Sequence, residues 1–224
     1  MEEDNANVSI HVLWAKFIHS GMNRNCMQFY KFCGELMKKK GLERIEKITR
    51  DQLENEAWFK YRFGRITASI VYEVAKAKKL NGSLQERVFG AQLPLTSDAV
   101  KRGKCLEKEV IEIVKQKRSL KINKSGLYLR KDFPIFGASP DGISDEYVID
   151  MKCPSKEATV KNYLHNGIVA KKYFYQLQMQ MMFANKNKGL FCVALSNFEK
   201  DKNVQIIELI FEEDKIMEII ELAQ

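Results

Sequence analysis

Residues 139–154 read SPDGISDEYVIDMKCP and predict a turn followed by a buried strand. Asp141 and Gly142 form a pair typical of hairpin-type turns, and Asp150 lies in the apolar run that follows. Because residues i and i+2 of a strand point to the same face, we expect the carboxylate of Asp150 beside the ammonium of Lys152. The turn is expected to fold the carboxylate of Asp141 back towards both.

Two carboxylates and one ammonium at a single point suit a divalent cation that activates water. Carboxylate oxygens bind hard cations, and a lysine beside them can position or deprotonate the attacking water. The residues therefore favour metal-assisted cleavage of a phosphodiester, with Asp141, Asp150 and Lys152 at its centre.

The same spacing resembles the D…(D/E)-x-K signature of the PD-(D/E)XK nuclease superfamily. SPDG before the strand and K-C-P at its end narrow the resemblance to the lambda exonuclease and YqaJ-type viral recombinase family. That family usually carries glutamate where this chain has Asp150, although the wider superfamily accepts aspartate. The resemblance implies an α/β fold, with a mixed central β-sheet flanked by helices. It also implies an Mg²⁺-dependent deoxyribonuclease that accepts Mn²⁺ as a substitute.

A second motif, W-x-x-x-R-x-G-x-I-T-A-S over residues 58–69, resembles the N-terminal motif of the same family. The resemblance implies that Arg62 and Ser69 form the pocket for the 5′ phosphate of the degraded strand. A guanidinium binds a phosphate through two parallel hydrogen bonds. We expect Ser69 at the start of a helix over residues 69–78, where free N–H groups would also face the phosphate. Without the resemblance, Arg62 would be interpreted as a surface cation and Ser69 as a helix cap.

Residues 99–117 have the apolar spacing typical of an amphipathic helix. The sequence R-G-x-x-x-E at 102–107 resembles a third family motif, in which the glutamate faces the metals. That glutamate corresponds to Glu107, with Glu109 and Glu112 as the alternatives. The metal ligands implied by the resemblance are Glu107, Asp141, Asp150 and the backbone carbonyl of Met151.

Residues 170–185 predict a second long helix, on which Tyr173 and Gln176 are three residues apart and share a face. This Y-x-x-Q pattern resembles the last family motif, whose glutamine lies beside the catalytic lysine. Gln176 is the implied residue and Gln178 the alternative. Tyr173 is expected either to reach the scissile or terminal phosphate or to pack as a core aromatic.

The length of 224 residues predicts one domain with a short appendage. We divide the chain into a helical N-terminal extension over 1–47 and a nuclease domain over 48–224. Residues 80–97, with Gly, Ser, Asn and Pro, are expected to form a loop or broken helix that borders the DNA. Strands are expected at 127–132, 133–138, 147–153, 189–196 and 204–211, and further helices at 156–166 and 212–223.

The formal net charge of +8 agrees with a polyanionic partner. Five cysteines without C-x-x-C spacing and only three histidines predict reduced thiols rather than a zinc site. The chain has no apolar run of the roughly 18 residues that a membrane span needs, and its N-terminus does not resemble a signal peptide. We therefore expect a soluble intracellular protein without a membrane partner, with a nuclear location left open for a eukaryotic source.

The family resemblance implies degradation of duplex DNA in the 5′→3′ direction from phosphorylated linear ends. The setting would be recombination, repair, or the processing of viral or mobile-element DNA. The resemblance also implies a homo-oligomer, a ring trimer, and a single-strand annealing protein as a further partner. A structure-specific endonuclease on the same core, and a catalytically dead DNA-binding domain, remain the alternatives.

Overall fold

The computed structural model of the chain describes residues 7–38, 41–79, 81–90 and 98–224. It begins with three helices, α1 (Ile10–His19), α2 (Cys26–Lys38) and α3 (Leu42–Ile48). Their buried apolar side chains form one cluster with Trp58, Tyr61, Leu127 and Leu129. The expected N-terminal helices are therefore present, and they share a core with residues of the predicted nuclease domain.

The rest of the described chain alternates helices with mostly short strands. Its helices are α4 (Glu56–Arg62), α5 (Val71–Lys76), α6 (Gly82–Val88), α7 (Asp98–Arg118), α8 (Glu157–Val160), α9 (Lys171–Ala184), α10 (Phe198–Asp201) and α11 (Glu213–Ala223). Its strands are β1 (Ile66–Thr67), β2 (Tyr128–Arg130), β3 (Phe133–Ala138), β4 (Gly142–Ile143), β5 (Tyr147–Lys152), β6 (Leu164–His165), β7 (Ile168–Val169), β8 (Lys188–Ala194) and β9 (Val204–Ile210). None of the helices in the described ranges is long and apolar enough to cross a membrane.

Parallel and antiparallel pairs are mixed in the two main sheets. In the first, β3 lies between β1, which is parallel to it, and β2, which is antiparallel. In the second, the order is β4-β5-β8-β9, and only the β5–β8 pair is parallel. The predicted α/β class with mixed strands is confirmed, although hydrogen bonding divides the strands between two main sheets rather than one central sheet.

The second sheet is covered on both faces, which explains why β5 is almost entirely buried. Ile149 and Met151 point to the face that is covered by the apolar side of α7. Val148 points to the opposite face, where Leu177 and Met181 of α9 lie. Because side chains alternate along a strand, the residues in step with Val148 also face α9. Helix α9 therefore covers the face on which the predicted site is built.

The predicted helix over residues 156–166 is wrong beyond its first part. Helix α8 ends at Val160, and β6 and β7 then form an antiparallel hairpin. Its turn is Asn166-Gly167, with φ values of 51° and 78°. Asn-Gly favours two-residue hairpin turns because both positions need positive φ. That local signal outweighs the helical spacing of the apolar residues.

The close contact between α3 and β2 yields a test of the fold. Gly126 lies just before β2, and a Cβ added there would be 1.9 Å from the backbone oxygen of Glu46 in α3. Since that neighbour is backbone and cannot rotate away, we expect Gly126→Ala to lower the free energy of unfolding by about 2–4 kcal/mol. Chemical denaturation measures the change.

Gly103→Ala is the matched control. Gly103 lies in α7, and an added Cβ would meet nothing within 4 Å. Because alanine has the higher helix propensity, this variant is expected to be as stable as the wild type or more stable by up to about 1 kcal/mol. Equal effects of the two substitutions would contradict the packing of α3 against β2.

Candidate active site

Asp150 is the centre of the site and is only 1% exposed. One carboxylate oxygen, Oδ2, lies 2.5 Å from Nζ of Lys152. The other, Oδ1, accepts hydrogen bonds from Nε2 of Gln176 at 2.6 Å and Nε2 of Gln180 at 3.0 Å. The expected pairing of Asp150 with Lys152 along one face of β5 is present, and α9 supplies the two amides.

Asp141 is held over the same strand by backbone groups of β5. Its N–H donates to the carbonyl of Ile149 at 3.0 Å, and its Oδ2 accepts the N–H of Met151 at 2.6 Å. The hairpin turn lies further along than predicted, because the N–H of Ser144 donates to the carbonyl of Tyr147 and closes it there. Asp141 therefore lies in the bend that begins β4, and it faces the site as expected.

Gln52 fixes the bend that carries Asp141. Its side-chain amide donates to the carbonyl of Pro140 at 2.7 Å and to that of Ser125 at 2.9 Å. Gln52 has a φ of 42°, which is uncommon for a residue other than glycine. Gln52 was not predicted from the sequence, because no local pattern marks a glutamine that binds carbonyls so distant in the chain.

Burial and the two negative charges set the proton affinities in the site. Burial, and then the charge of Asp150, raises the pKa of Asp141 to about 7. Burial alone would lower the pKa of Lys152, but the charges of Asp150 and Asp141 outweigh it, so this pKa is raised. Without a cation, Lys152 is therefore an ammonium, and the lowered pKa expected for a base would need added positive charge.

Several oxygen donors of the site fit a divalent cation. Oδ2 of Asp150 is buried and has no aligned hydrogen-bond donor among the described residues, only the ammonium of Lys152. Asp141 lies at the edge of β5 to which the carbonyl of Ile149 points. The N–H of Met151, two residues further along, points to the same edge, and so does its carbonyl. Two carboxylates and the Met151 carbonyl are the hard oxygen ligands that such a cation prefers.

Glu107 lies at the border of this group. It is half-buried on α7, and its charge contributes to the raised pKa of Asp141. Burial raises the pKa of Glu107 itself, opposed by the charge of Lys104. The part of the chain that the structure describes nowhere gathers three acidic, histidine or cysteine side chains closely enough to hold a metal. Asp141 and Asp150 are thus brought together, whereas Glu107 is not brought into contact with them.

The two alternative glutamates on α7 are engaged at the surface. Glu109 forms an ion pair with Lys202 at 2.7 Å, and Glu112 forms one with Lys115 at 2.7 Å. Neither contributes to the proton affinity of Asp141, so Glu107 is the α7 glutamate that faces the site.

Arg102 fastens α7 to the end of β5. Its guanidinium donates to the carbonyls of Cys153 and Pro154 at 2.8 and 2.9 Å, and to both carboxylate oxygens of Glu199 at 2.8 and 2.6 Å. The arginine of the R-G-x-x-x-E motif therefore positions the helix that carries Glu107. No partner of Arg102 could be predicted from the sequence, because the groups it binds come from distant segments.

On α9, three residues of one face reach the site, namely Tyr173, Gln176 and Gln180. Gln180 was not predicted, although it lies four residues after Gln176 and so shares its face. Gln178, the alternative to Gln176, points elsewhere, since its amide donates to the carbonyl of Ile210 and accepts the N–H of Glu212. The i, i+4 pair of glutamines was the signal that the sequence offered.

Tyr173 forms the wall of the site next to Lys152. Its ring centroid is 4.8 Å from that of Tyr163, 5.8 Å from that of Phe191, and 5.5 Å from Nζ of Lys152. Burial, and then the neighbouring Tyr163, raises the pKa of Tyr173 to about 12. Tyr173 is therefore a packed aromatic whose hydroxyl stays protonated beside the lysine.

The indole ring of Trp58 lies between Arg62 and the turn that precedes Asp141. Its guanidinium stacks on Trp58 at 3.9 Å, and the indole N–H of Trp58 donates to Oγ of Ser139 at 3.1 Å. The guanidinium has no hydrogen bond or ion pair with any residue that the structure describes. Burial lowers the pKa of Arg62 to about 10, so it remains charged at neutral pH.

Ser69 lies in the turn between β1 and α5, with its Oγ 3.2 Å from Oγ1 of Thr67. The prediction that Ser69 begins a helix is wrong, because α5 begins at Val71. Strand β1 is nevertheless parallel to β3, so Ser69 and Ser139 follow strands that end at the same edge. Part of the predicted loop, residues 91–97, lies outside the described residues, and residues 82–88 form helix α6.

The model of the YqaJ-like viral recombinase domain matches residues 57–187, which include every predicted site residue. Among solved structures, the chain is similar to the alkaline exonuclease LHK-Exo from Laribacter hongkongensis. The TM-score is 0.63 at 24% identity, over 75% of this chain and 89% of that one. LHK-Exo in complex with dAMP gives 0.65 at the same identity and coverage.

A SOX–DNA complex gives a TM-score of 0.55 at 12% identity, over 95% of this chain and 77% of that one. At these identities the solved structures show that the fold is that of exonucleases. A search among curated proteins gave no match.

The two facing carboxylates predict an unusual dependence of stability on pH. A carboxyl whose pKa is raised from 3.8 to about 7 binds its proton more tightly in the folded state, so stability is lost as pH rises through that window. With chelator, we expect the free energy of unfolding of the wild type to fall between about pH 5 and pH 8 more than that of Asp141→Asn. Thermal denaturation across pH measures this.

The same variant has a built-in control. Added Mg²⁺ should stabilise the wild type above pH 7 and leave Asp141→Asn unchanged, because a ligand stabilises only the form that binds it. A variant that is less stable than the wild type at every pH would show that Asp141 stabilises the metal-free fold instead.

The Arg102 contacts predict a large loss of stability. Arg102→Leu would leave two carbonyls and Glu199 without their donor, so we expect the free energy of unfolding to fall by about 2–4 kcal/mol. Lys104→Leu on the same helix is the control, because its ion pair with Glu54 is 53% and 63% exposed. That change should stay within about 0.5 kcal/mol. Similar losses in both variants, measured by urea denaturation, would contradict the role given to Arg102.

Proposed function

Because the chain belongs to the family of YqaJ-like viral recombinase domains and has the fold of exonucleases, we propose that it is a metal-dependent DNA exonuclease. The observation that carries the proposal is the buried Asp150, paired with Lys152 and facing Asp141 across the end of β5. A carboxylate pair with one ammonium suits the metal-assisted hydrolysis of a phosphodiester.

In this proposal each residue of the site has one task. Asp141, Asp150 and the Met151 carbonyl would hold the cation, while Gln176 and Gln180 keep Asp150 oriented. A bound Mg²⁺, or Mn²⁺ in its place, would supply a Lewis acid that lowers the pKa of water and stabilises the leaving oxygen. Glu107 would orient water or support a second cation from the edge of α7.

Lys152 acts on the attacking water. As an ammonium it donates to the water or to a phosphate oxygen and neutralises charge that develops there. It becomes a general base only after it loses its proton. Tyr173 closes this side of the site against solvent and would reach a phosphate only through its hydroxyl.

Arg62 is the residue from which the proposed direction of degradation follows. A charged guanidinium that stacks on Trp58 and has no hydrogen bond or ion pair among the described residues suits a terminal phosphate, and Ser69 would add a hydroxyl at the same sheet edge. We therefore propose degradation in the 5′→3′ direction from phosphorylated ends of duplex DNA, in recombination, repair or the processing of viral or mobile-element DNA. The DNA and dAMP in the structures of the two relatives agree with such a substrate. The ring trimer and the annealing partner stay predictions.

The test is digestion of linear duplex DNA with 5′-phosphate or 5′-hydroxyl ends, beside a closed circle, in Mg²⁺ and in chelator. We expect Mg²⁺-dependent loss of the 5′-phosphorylated strand alone. Lys152→Ala should lower the rate by about 100-fold to 10,000-fold, the range for a proton-transferring group. Lys161→Ala, an exposed lysine in the same domain, should leave the rate unchanged.

Other results would select another function. Cutting of the circle would identify an endonuclease, and binding without cleavage in Mg²⁺ or Mn²⁺ would identify a dead nuclease domain. Arg62→Gln should remove the preference for a 5′ phosphate while leaving slow cleavage of both ends. A preference that survives in Arg62→Gln would mean that another group binds the terminal phosphate.

A further inference from the structure

Three phenylalanines form an exposed surface beside Arg62. Phe59, Phe63 and Phe89, called the aromatic surface below, are 39%, 38% and 44% exposed. Phe59 lies on α4, Phe63 directly follows the end of that helix, and the ring of Phe63 lies 6.1 Å from that of Phe89. Exposed apolar side chains that lie together are typical of interaction sites, whereas single ones are common on any protein surface.

The aromatic surface is held in place by backbone contacts. The N–H of Gly64 donates to the carbonyl of Val88 at 2.8 Å and joins the end of α4 to the end of α6. Gly90 has a φ of 61°, and a Cβ there would touch the ring of Phe63 at 3.5 Å. Phe63 and Phe89 are therefore held next to each other by the contact between the ends of α4 and α6.

The surface adjoins the phosphate group that Arg62 is proposed to bind. With about 100° between successive helix residues, Arg62 lies between the Trp58 face and the Phe59 face of α4. The ring of Phe59 meets Trp58 edge-on at 5.0 Å, while the guanidinium of Arg62 stacks on Trp58 at 3.9 Å. A cation that has no ion pair within the described part of the chain thus lies beside a group of flat apolar rings, and Lys60 is exposed on the same helix.

A nucleic-acid end is the occupant that matches both parts. Its phosphates need a cation, and its bases stack on aromatic side chains in a manner that tolerates any sequence. A purely apolar partner would leave the guanidinium unmatched. We propose that the aromatic surface stacks the first bases of the strand whose 5′ phosphate Arg62 binds; this rests on the proposed function and assigns it a second contact. The stacking would keep the strand end unpaired and directed towards Asp141.

The test measures binding rather than cleavage. In chelator, the dissociation constant is determined for 5′-phosphorylated DNA whose first two nucleotides either carry bases or are abasic. We expect the wild type to bind the base-bearing DNA about 10-fold more tightly, the order of one stacked base. Phe63→Ser and Phe59→Ser should bring this ratio close to one, whereas Phe63→Trp should keep it.

Controls separate this inference from the proposed function. Leu222→Ser, at a 54% exposed position on α11, should leave the ratio at its wild-type value. Arg62→Gln should weaken binding of both DNAs and keep the ratio. Because this test does not depend on cleavage, a wild type without nuclease activity would contradict the proposed function, and the ratio of the two dissociation constants could still be measured.

Three results would overturn the inference. The first is a wild-type ratio of one, and the second is a ratio that neither serine variant changes. The third is a change of oligomeric state in sedimentation of Phe63→Ser without any change in the ratio, which would mean that a second copy of the chain covers the aromatic surface.

Discussion

The burial of the Asp150 carboxylate is the constraint on which the site depends. A carboxylate that is 1% exposed is costly to ionise unless hydrogen bonds and an opposite charge replace the water it has lost. The ammonium two residues along β5 and two amides from α9 supply both. Helix α9 therefore has to lie against this face of the sheet, in the rotation that points Gln176 and Gln180 inward. Above about pH 7, Asp141 adds a second negative charge, and the metal-free site then carries more negative than positive charge.

The sequence predicted what depends on local geometry and missed what depends on packing between elements. The two-residue period of a strand is enough to place Asp150 beside Lys152. It does not tell which face of α9 will be buried, so Gln180 was overlooked and Gln178 was kept as an alternative. Glu107 was correctly placed on a helix, but its distance from the aspartates depends on how α7 lies across β5. Gln52 and Arg102 bind carbonyls from distant segments, and no pattern of neighbours encodes such contacts.

The aspartate at position 150, where the family usually has glutamate, is consistent with the observed contacts. A shorter side chain keeps the carboxylate close to the strand, so its partners have to be long. Gln176 and Gln180 are long enough to reach Oδ1, and both bond to that one oxygen. Oδ2 is thereby left to the ammonium alone, with no aligned hydrogen bond to give up. A cation bound at Oδ2 would share this oxygen with the ammonium or replace it as the opposite charge that the buried carboxylate needs.

Helix α4 connects the proposed hydrolytic centre to Arg62, the residue that would recognise a DNA end. Arg65, at 0% exposure, donates to the carbonyls of Val8, Tyr61 and Pro134, and so binds the N-terminal segment, α4 and β3 to one another. Pro134 lies at the start of β3, and Ser139, which accepts the Trp58 indole N–H, follows its end. The helix that carries Arg62 is therefore attached at both ends of the strand that leads to Asp141. The proposed exonuclease would need a constant distance between a terminal phosphate bound at Arg62 and the proposed metal ligands. Fixing both to β3 would provide that distance, and the bond from Arg65 to Val8 gives the segment before α1 a structural task.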